Sequence, residues 1–448
     1  MAFDFDRFAR KLERYEYAEA VLSRTAYASA ILKDGNVDSA KEGGEENLAV
    51  RVYAGGASGF SVTNQLEKAG EALRRAETLA RARKGNARLA KPEVHDADSV
   101  LRPKKDALHE PMEEKIARLK EYSREARKGK VFRVQATLTA AEFEKFFANS
   151  AGSRVDTFEP RIVCTVHAFA KDGGRTESSF HQMKARAGAE ALEEMHAKAG
   201  EAAGEANLLL KAGEGPKGRM TAVLDSELAG VMAHEAVGHA CEADEVQAGG
   251  SILKGRLGRR IGAGAVDIMD SPALEPRLWG SYEYDDEGTK ARGTALMERG
   301  VLKSFLTSLE TATENRGRLT GNARAEPGRR PLVRMTNTHF GRGDAEVDEL
   351  FQGVRKGVYL VGCKEGQVSP KSGNFTFAAK YGYVIENGER KRLFKDCSIN
   401  GNIFDALHEV SLVASDLAFT PGTCGKESQG VPVTTGSPHL LIKNILVG

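Results

Sequence analysis

At 448 residues the chain is too long for one ordinary core, so two domains is the starting expectation. Lys plus Arg is 65 against 63 for Asp plus Glu, a net charge of +2, which gives no global field to attract nucleic acid or an anionic membrane. No apolar run approaches the roughly 18 residues of a membrane span, and the Lys/Arg-rich stretch 74–130 is interleaved with acids and reads as solvated helix faces.

The chain opens MAFDFDRFARKLERYEYAEA, with Asp, Arg and Glu where a signal peptide needs an apolar core, so a cytoplasmic protein is expected. Phe5, Phe8, Leu12 and Tyr15 recur at helical spacing and predict an amphipathic first helix. Residues 26–33 and 47–53 read as strands, with Asp34-Gly35 and Gly55-Gly56 as turn signals. A helix is expected over 64–84, followed by a polar loop bracketed by Pro92, Pro103 and Pro111. Pro111 suits the first position of another helix, reaching residue 128. Strands at 131–139 and 161–170 precede an Ala/Glu-rich helix over 184–211.

The segment AGEGPK at 212–217 is the linker candidate. Past it a strand at 219–224 leads into a helix, and the rest is short β-like runs at 294–306, 331–338, 357–363, 374–385 and 439–447. The pattern predicts an α+β protein of two domains: an α+β N-terminal domain over 1–212 and a mainly β C-terminal domain over 213–448.

The chemistry centres on His234-Glu235-Ala236-Val237-Gly238-His239. Two imidazoles and an intervening carboxylate on one helix are what a hydrolytic zinc site needs. The histidines hold a metal that lowers the pKa of bound water to about 7, and the glutamate takes the proton and passes it to a leaving amine. A spacing of four would set the histidines about 40° apart around a helix; the spacing of five found here sets them about 140° apart on a regular one. A single π-turn, at about 4.4 residues per turn, brings them back to roughly 50°. Gly238 sits where that distortion is needed. The plainer alternative is an ordinary helix with two unrelated histidines. Asp225 as an N-cap and Leu228, Val231 and Met232 as a buried stripe give the helix its context.

A catalytic zinc takes a third protein ligand. Cys241, Glu242, Asp244, Cys363, Cys397, His408 and Cys424 are the candidates. Five cysteines scattered over a long chain are no disulfide framework and fit a reducing compartment. Cys241, two residues past His239, has a poor angle for the same metal and reads as a core thiol. Cys424 lies between glycines, read here as an accessible loop, where Lys426 would favour its thiolate.

Several blocks in order resemble the TldD/PmbA family, once labelled modulators of DNA gyrase, and its TldD-type metallopeptidase branch in particular. They are HEAVGH at 234–239, YDDEGT at 284–289, RMTNT at 334–338, SGNFTF at 372–377, YVIENGE at 383–389 and CGKESQGVPV at 424–433. LKDG at 32–35 and AVRVY at 49–53 extend the likeness more weakly, and 86–110 has no match. The resemblance implies His234, His239 and Cys424 as zinc ligands and Glu235 as general base. It also implies a two-domain fold, peptides or unfolded polypeptides as substrates, and a homodimer or a heterodimer with an inactive TldE/PmbA-type paralogue. Asp285, Asp286 and Glu287 match a family block and read as a structural turn rather than support for the ligands. Two other expectations compete with a general peptidase: a non-catalytic peptide-binding or regulatory subunit, and a narrow-specificity processing peptidase for a modified-peptide precursor.

Overall fold

Alternation along long strands decides the architecture. The computed structural model describes residues 3–448, and its N-terminal part is built on one seven-stranded sheet. The strands are β1 (Tyr17–Lys33), β2 (Asn36–Ala54), β3 (Ala57–Thr63), β4 (Asp96–Val100), β5 (Val131–Asn149), β6 (Arg154–Asp172) and β7 (Arg175–Ala185). Their order is β3-β2-β1-β5-β6-β4, with β7 also paired to β6. Successive side chains point to opposite faces of a strand. One face therefore collects Ala18, Ala20, Leu22, Leu48, Val50, Val134, Ala136 and Leu138, all buried. Helices α1 (Phe5–Ala9), α2 (Ala69–Ala82), α3 (Met112–Glu125) and α4 (Met195–Leu209) cover it. The intervening positions, Glu19, Arg51, Lys145, Glu159 and Arg161 among them, turn the other way, toward the C-terminal half.

Beyond α4 the chain is mainly strand, so the whole is an α+β fold. Lys356–Ser369, Gly218–Leu224, Leu440–Val447, Cys397–Asn402 and Asn374–Glu386 pair in that order, and the last also pairs with the first, closing a ring. A second sheet of six strands ends on Asn337–Phe340, Gln429–Ser437 and, at its edge, Ala418–Lys426. Between the two sheets runs α5 (Ser226–Met232), its Leu228, Ala229 and Met232 fully buried in the larger core.

Charged side chains join the two halves. Arg51, 2% exposed, pairs with Glu19 of its own sheet and with Glu287 of the C-terminal half at 2.6 Å. Lys145 reaches Asp286 at 2.8 Å, and Arg161 donates to the Trp279 carbonyl at 3.0 Å. The YDDEGT block is thus a turn and also a clamp. Asp285 accepts three backbone N–H groups, from Glu287, Thr289 and Ala323, while its neighbours bind the N-terminal sheet. Burial, opposed mainly by Arg51, raises Glu19 to about 7.

Several elements differ from the sequence expectation. β1, β2, β5 and β6 run far longer than the apolar stretches that signalled them, because residues such as Lys41–Glu45 are exposed and are held by pairing with β1. The helix expected from residue 184 starts at Met195; Lys184 and Ala185 finish β7, which pairs along β6. Pro111 caps α3 with ψ 142 rather than opening it. The unmatched stretch 86–110 contributes β4, parallel to β6. Among the described residues no helix is long and apolar enough to cross a membrane.

Candidate metal centre

Strand Gly218–Leu224 delivers the chain to Asp225. Its carboxylate caps α5 by accepting the Leu228 N–H at 2.9 Å, and it also accepts the Gly362 N–H at 2.8 Å. Burial raises this carboxyl to about 6 in spite of those two bonds. Past Met232 the backbone widens. Residues Ala233–Gly238 form a π-helical turn, and the His239 N–H donates to the His234 carbonyl five residues back. The distortion demanded by the five-residue spacing is present.

The glycine in that turn has a different reason from the expected one. Gly238 has φ −55 and ψ −58, helical values open to any residue. A Cβ there would stand 1.9 Å from Met335 Sδ, and Met335 is fully buried. Close approach of the helix to the RMTNT segment, rather than backbone freedom, excludes a side chain.

His234, His239 and Cys424 each bring one donor atom within 4.8 Å of the other two. The two imidazole centroids are 5.1 Å apart, with planes at 84°, and Cys424 Sγ lies 3.5 Å from His239 Nε2. Cys424 is not in a loop. It is buried on the edge strand Ala418–Lys426, 4% exposed. Burial raises its thiol, but the adjacent His234 and His239 imidazoles outweigh burial and hold it down at about 5. Such a lowering favours the thiolate, the form that ligates metal. Lys426 is not the cause. Its ammonium donates to Asp244 at 2.7 Å, to Glu242 at 3.2 Å and to the Val333 carbonyl at 3.3 Å.

These residues fit a zinc ion. Two imidazoles and a thiolate are a donor set that zinc accepts, and His234 Nδ1 is buried with no hydrogen-bond partner among the described residues. Glu235 stands beside the trio, its Oε2 3.8 Å from His239 Nε2 and its side chain 21% exposed. The remaining candidates stay outside. Cys241 is sealed in the core, where burial pushes its thiol up. Burial also raises Cys363 to about 12 and Cys397 to about 11.

One residue considered only as a ligand has another place. Glu242, 1% exposed, puts Oε2 3.1 Å from His239 Nδ1. Burial opposes its charge, yet His239 and Lys426 keep the carboxyl below its ordinary range. Arg334, fully buried, approaches Glu242 at 4.0 Å and donates to the Cys424 carbonyl. The i,i+3 spacing from His239 to Glu242 was the available signal.

Three family models match the chain in order. They are the PmbA/TldA metallopeptidase domain 1 over residues 18–82, its central domain over 105–208 and its C-terminal domain over 217–448. A "Metalloprotease" of Methanothermobacter thermautotrophicus is 36% identical over 441 residues, 97% of this chain and 96% of that one. A "Zinc metalloprotease TldD homolog" of Saccharolobus solfataricus is 38% identical over 239 residues, 53% of this chain and 52% of that one. The crystal structure of TldE from Thermococcus kodakarensis shares the fold, with a TM-score of 0.80 at 18% identity over 99% of this chain and 98% of that one.

The tight contact at Gly238 yields a test. Gly238→Ala should cost about 1–3 kcal/mol through overpacking, read as a lower denaturation midpoint. Adding Met335→Ala should cost less than the two single changes summed. Strictly additive losses would place the strain elsewhere.

Proposed function

The chain belongs to the TldD/PmbA family of metallopeptidases, and on that premise we propose that it is a zinc-dependent peptidase hydrolysing amide bonds of peptides and unfolded polypeptides. The observation that carries this reading is the convergence of His234 and His239, from one π-turn, on Cys424, 185 residues further along the chain from His239. His234, His239 and Cys424 would hold the ion. When bound, zinc supplies Lewis acidity toward water and toward a substrate carbonyl.

The chain's own groups do the rest. Glu235, next in sequence to one ligand and 3.8 Å from the other, takes a proton from the attacking water and gives it to the amine nitrogen as the C–N bond breaks. Glu242 accepts from His239 at Nδ1, which fixes the ring and leaves Nε2 facing Cys424. His239 and Lys426, with Arg334 at 4.0 Å, hold the Glu242 carboxyl below its ordinary range.

Substrate selection follows from the edge. Ala418–Lys426, which carries Cys424, is paired on one side only. An extended peptide added along it gains main-chain hydrogen bonds whatever its side chains. A compact domain offers such a segment only at the cost of local unfolding. In our reading the peptidase works as a homodimer or with a TldE-type paralogue. Five free cysteines fit the reducing cytoplasm as its location.

Glu235→Gln should keep its zinc and fold while losing about 10²–10⁴ in turnover. An active variant with normal zinc content would remove Glu235 from the reaction. Cys424→Ser should lose most of its zinc by elemental analysis and Cys241→Ser should keep it; the reverse result would overturn the ligand set. A stable protein should be cleaved far more slowly than its own unfolded, alkylated form under identical conditions, and equal rates would exclude selection by edge pairing.

A further inference from the structure

A cleft of about 630 Å³ separates the polar face of the N-terminal sheet from the C-terminal half. It is not the metal site. In the hairpin of Ala418–Lys426 and Gln429–Ser437, Cys424 opposes Val431 and Thr423 opposes Pro432. Paired residues share a face and neighbours alternate. Val431 and Pro432 both line the cleft, so it runs along this hairpin, but His234, Glu235, His239 and Cys424 are not among its lining residues.

Buried charges of both signs line the cleft, Arg51, Arg161 and Arg324 together with Glu19 and Asp285. Arg161 and Arg324 of its lining are 8% and 5% exposed, and Arg186, outside the lining, is 5% exposed. Arg161 and Arg186 share a single carboxylate, Glu159. Arg324, which lines the cleft, forms no ion pair among the described residues. Its guanidinium donates to the Met335 carbonyl and lies 4.8 Å over the Tyr282 ring. The acids around Tyr282 are already committed. Asp285 takes three backbone N–H groups, Asp286 takes Lys145 and the Ala325 N–H, and Asp270 takes Asn322, Thr336 and Thr338. A guanidinium so buried is costly without an anion.

The rest of the wall defines the ligand's body. Tyr27, Phe60, Phe143 and Tyr282 supply aromatic surface. Thr25 and Thr157, both lining the cleft, carry buried hydroxyls with no hydrogen-bond partner among the described residues. We propose that this cleft is a second binding site, separate from the metal centre, for a ligand that sets a carboxylate on Arg324, an apolar body on the aromatic wall and hydrogen-bonding groups on the two threonines. A short peptide with a free C-terminus has that chemistry, and so has a free aromatic acid. The site goes beyond the peptidase reading and does not rest on it.

Trp279, the chain's one tryptophan, reports on the cleft because Arg161 stacks on it at 4.8 Å. Its fluorescence should be titrated with acetyl-glycyl-phenylalanine as the free acid, with the same dipeptide amidated, and with 3-phenylpropionate. The free acid should bind saturably, and amidation should weaken it about 10–100-fold by removing a charge-assisted hydrogen bond. Phenylpropionate binding as tightly as the dipeptide would assign a small acid, and weaker binding would assign a peptide end. Arg324→Gln should lose the free acid about 10–100-fold, and Cys424→Ser should bind it normally. Equal affinity for acid and amide on the unmodified protein would overturn the proposal, as would loss of binding in Cys424→Ser.

Discussion

One hydrogen bond, from the His239 N–H to the His234 carbonyl, decides whether this chain can gather a metal site at all. With a spacing of five, a regular helix would point the two imidazoles about 140° apart. Bonding five residues back instead of four brings them to one side, with ring centroids 5.1 Å apart. A π-turn is a rare, poorly packed helix, and surrounding structure has to hold it. Here the holding is close packing. A bare Gly238 lets the turn press on Met335, and the fully buried Leu228, Met232 and Val237 fix the helix in the C-terminal core.

The same constraint explains the charged groups around the site. A thiolate beside two imidazoles in a buried place needs its surroundings neutralised. Glu242 answers His239, and Lys426 and Arg334 answer Glu242. Arg334 also grips the Cys424 carbonyl, so the network ties the edge strand to the helix. The donors thus come from two elements far apart in sequence but linked through one set of ion pairs. At the interface of the halves a second network, Arg51 with Glu19 and Glu287, sets the polar face of the N-terminal sheet against the YDDEGT turn.

Some of this was legible in the residues and some was not. The π-turn followed from counting residues between the histidines, and the cap at Asp225 from its place before the buried stripe. Cys424 did not follow from local reasoning. Its flanking glycines suggested a loop, whereas it sits on a paired strand, and its thiolate is stabilised by the histidines rather than by Lys426. Only the family resemblance singled it out from the other candidate ligands. The long strands were half invisible because period-two alternation signals a strand only where one face is buried. Residues 36–46 have no such face, and hairpin pairing with β1, with ion pairs from Lys33 to Asp38 and Arg24 to Glu46, defines them.

The central claim is that a metal is held by two imidazoles and the Cys424 thiolate together. Substituting cobalt(II) for zinc makes that coordination visible in absorption. A thiolate ligand gives an intense sulfur-to-cobalt charge-transfer band in the near ultraviolet, and four-coordination gives strong visible bands. Both should appear at one cobalt per chain, and in Cys424→Ser the charge-transfer band should vanish while the visible bands fall with the lost metal. Tight one-to-one cobalt binding with no thiolate charge transfer would contradict the account.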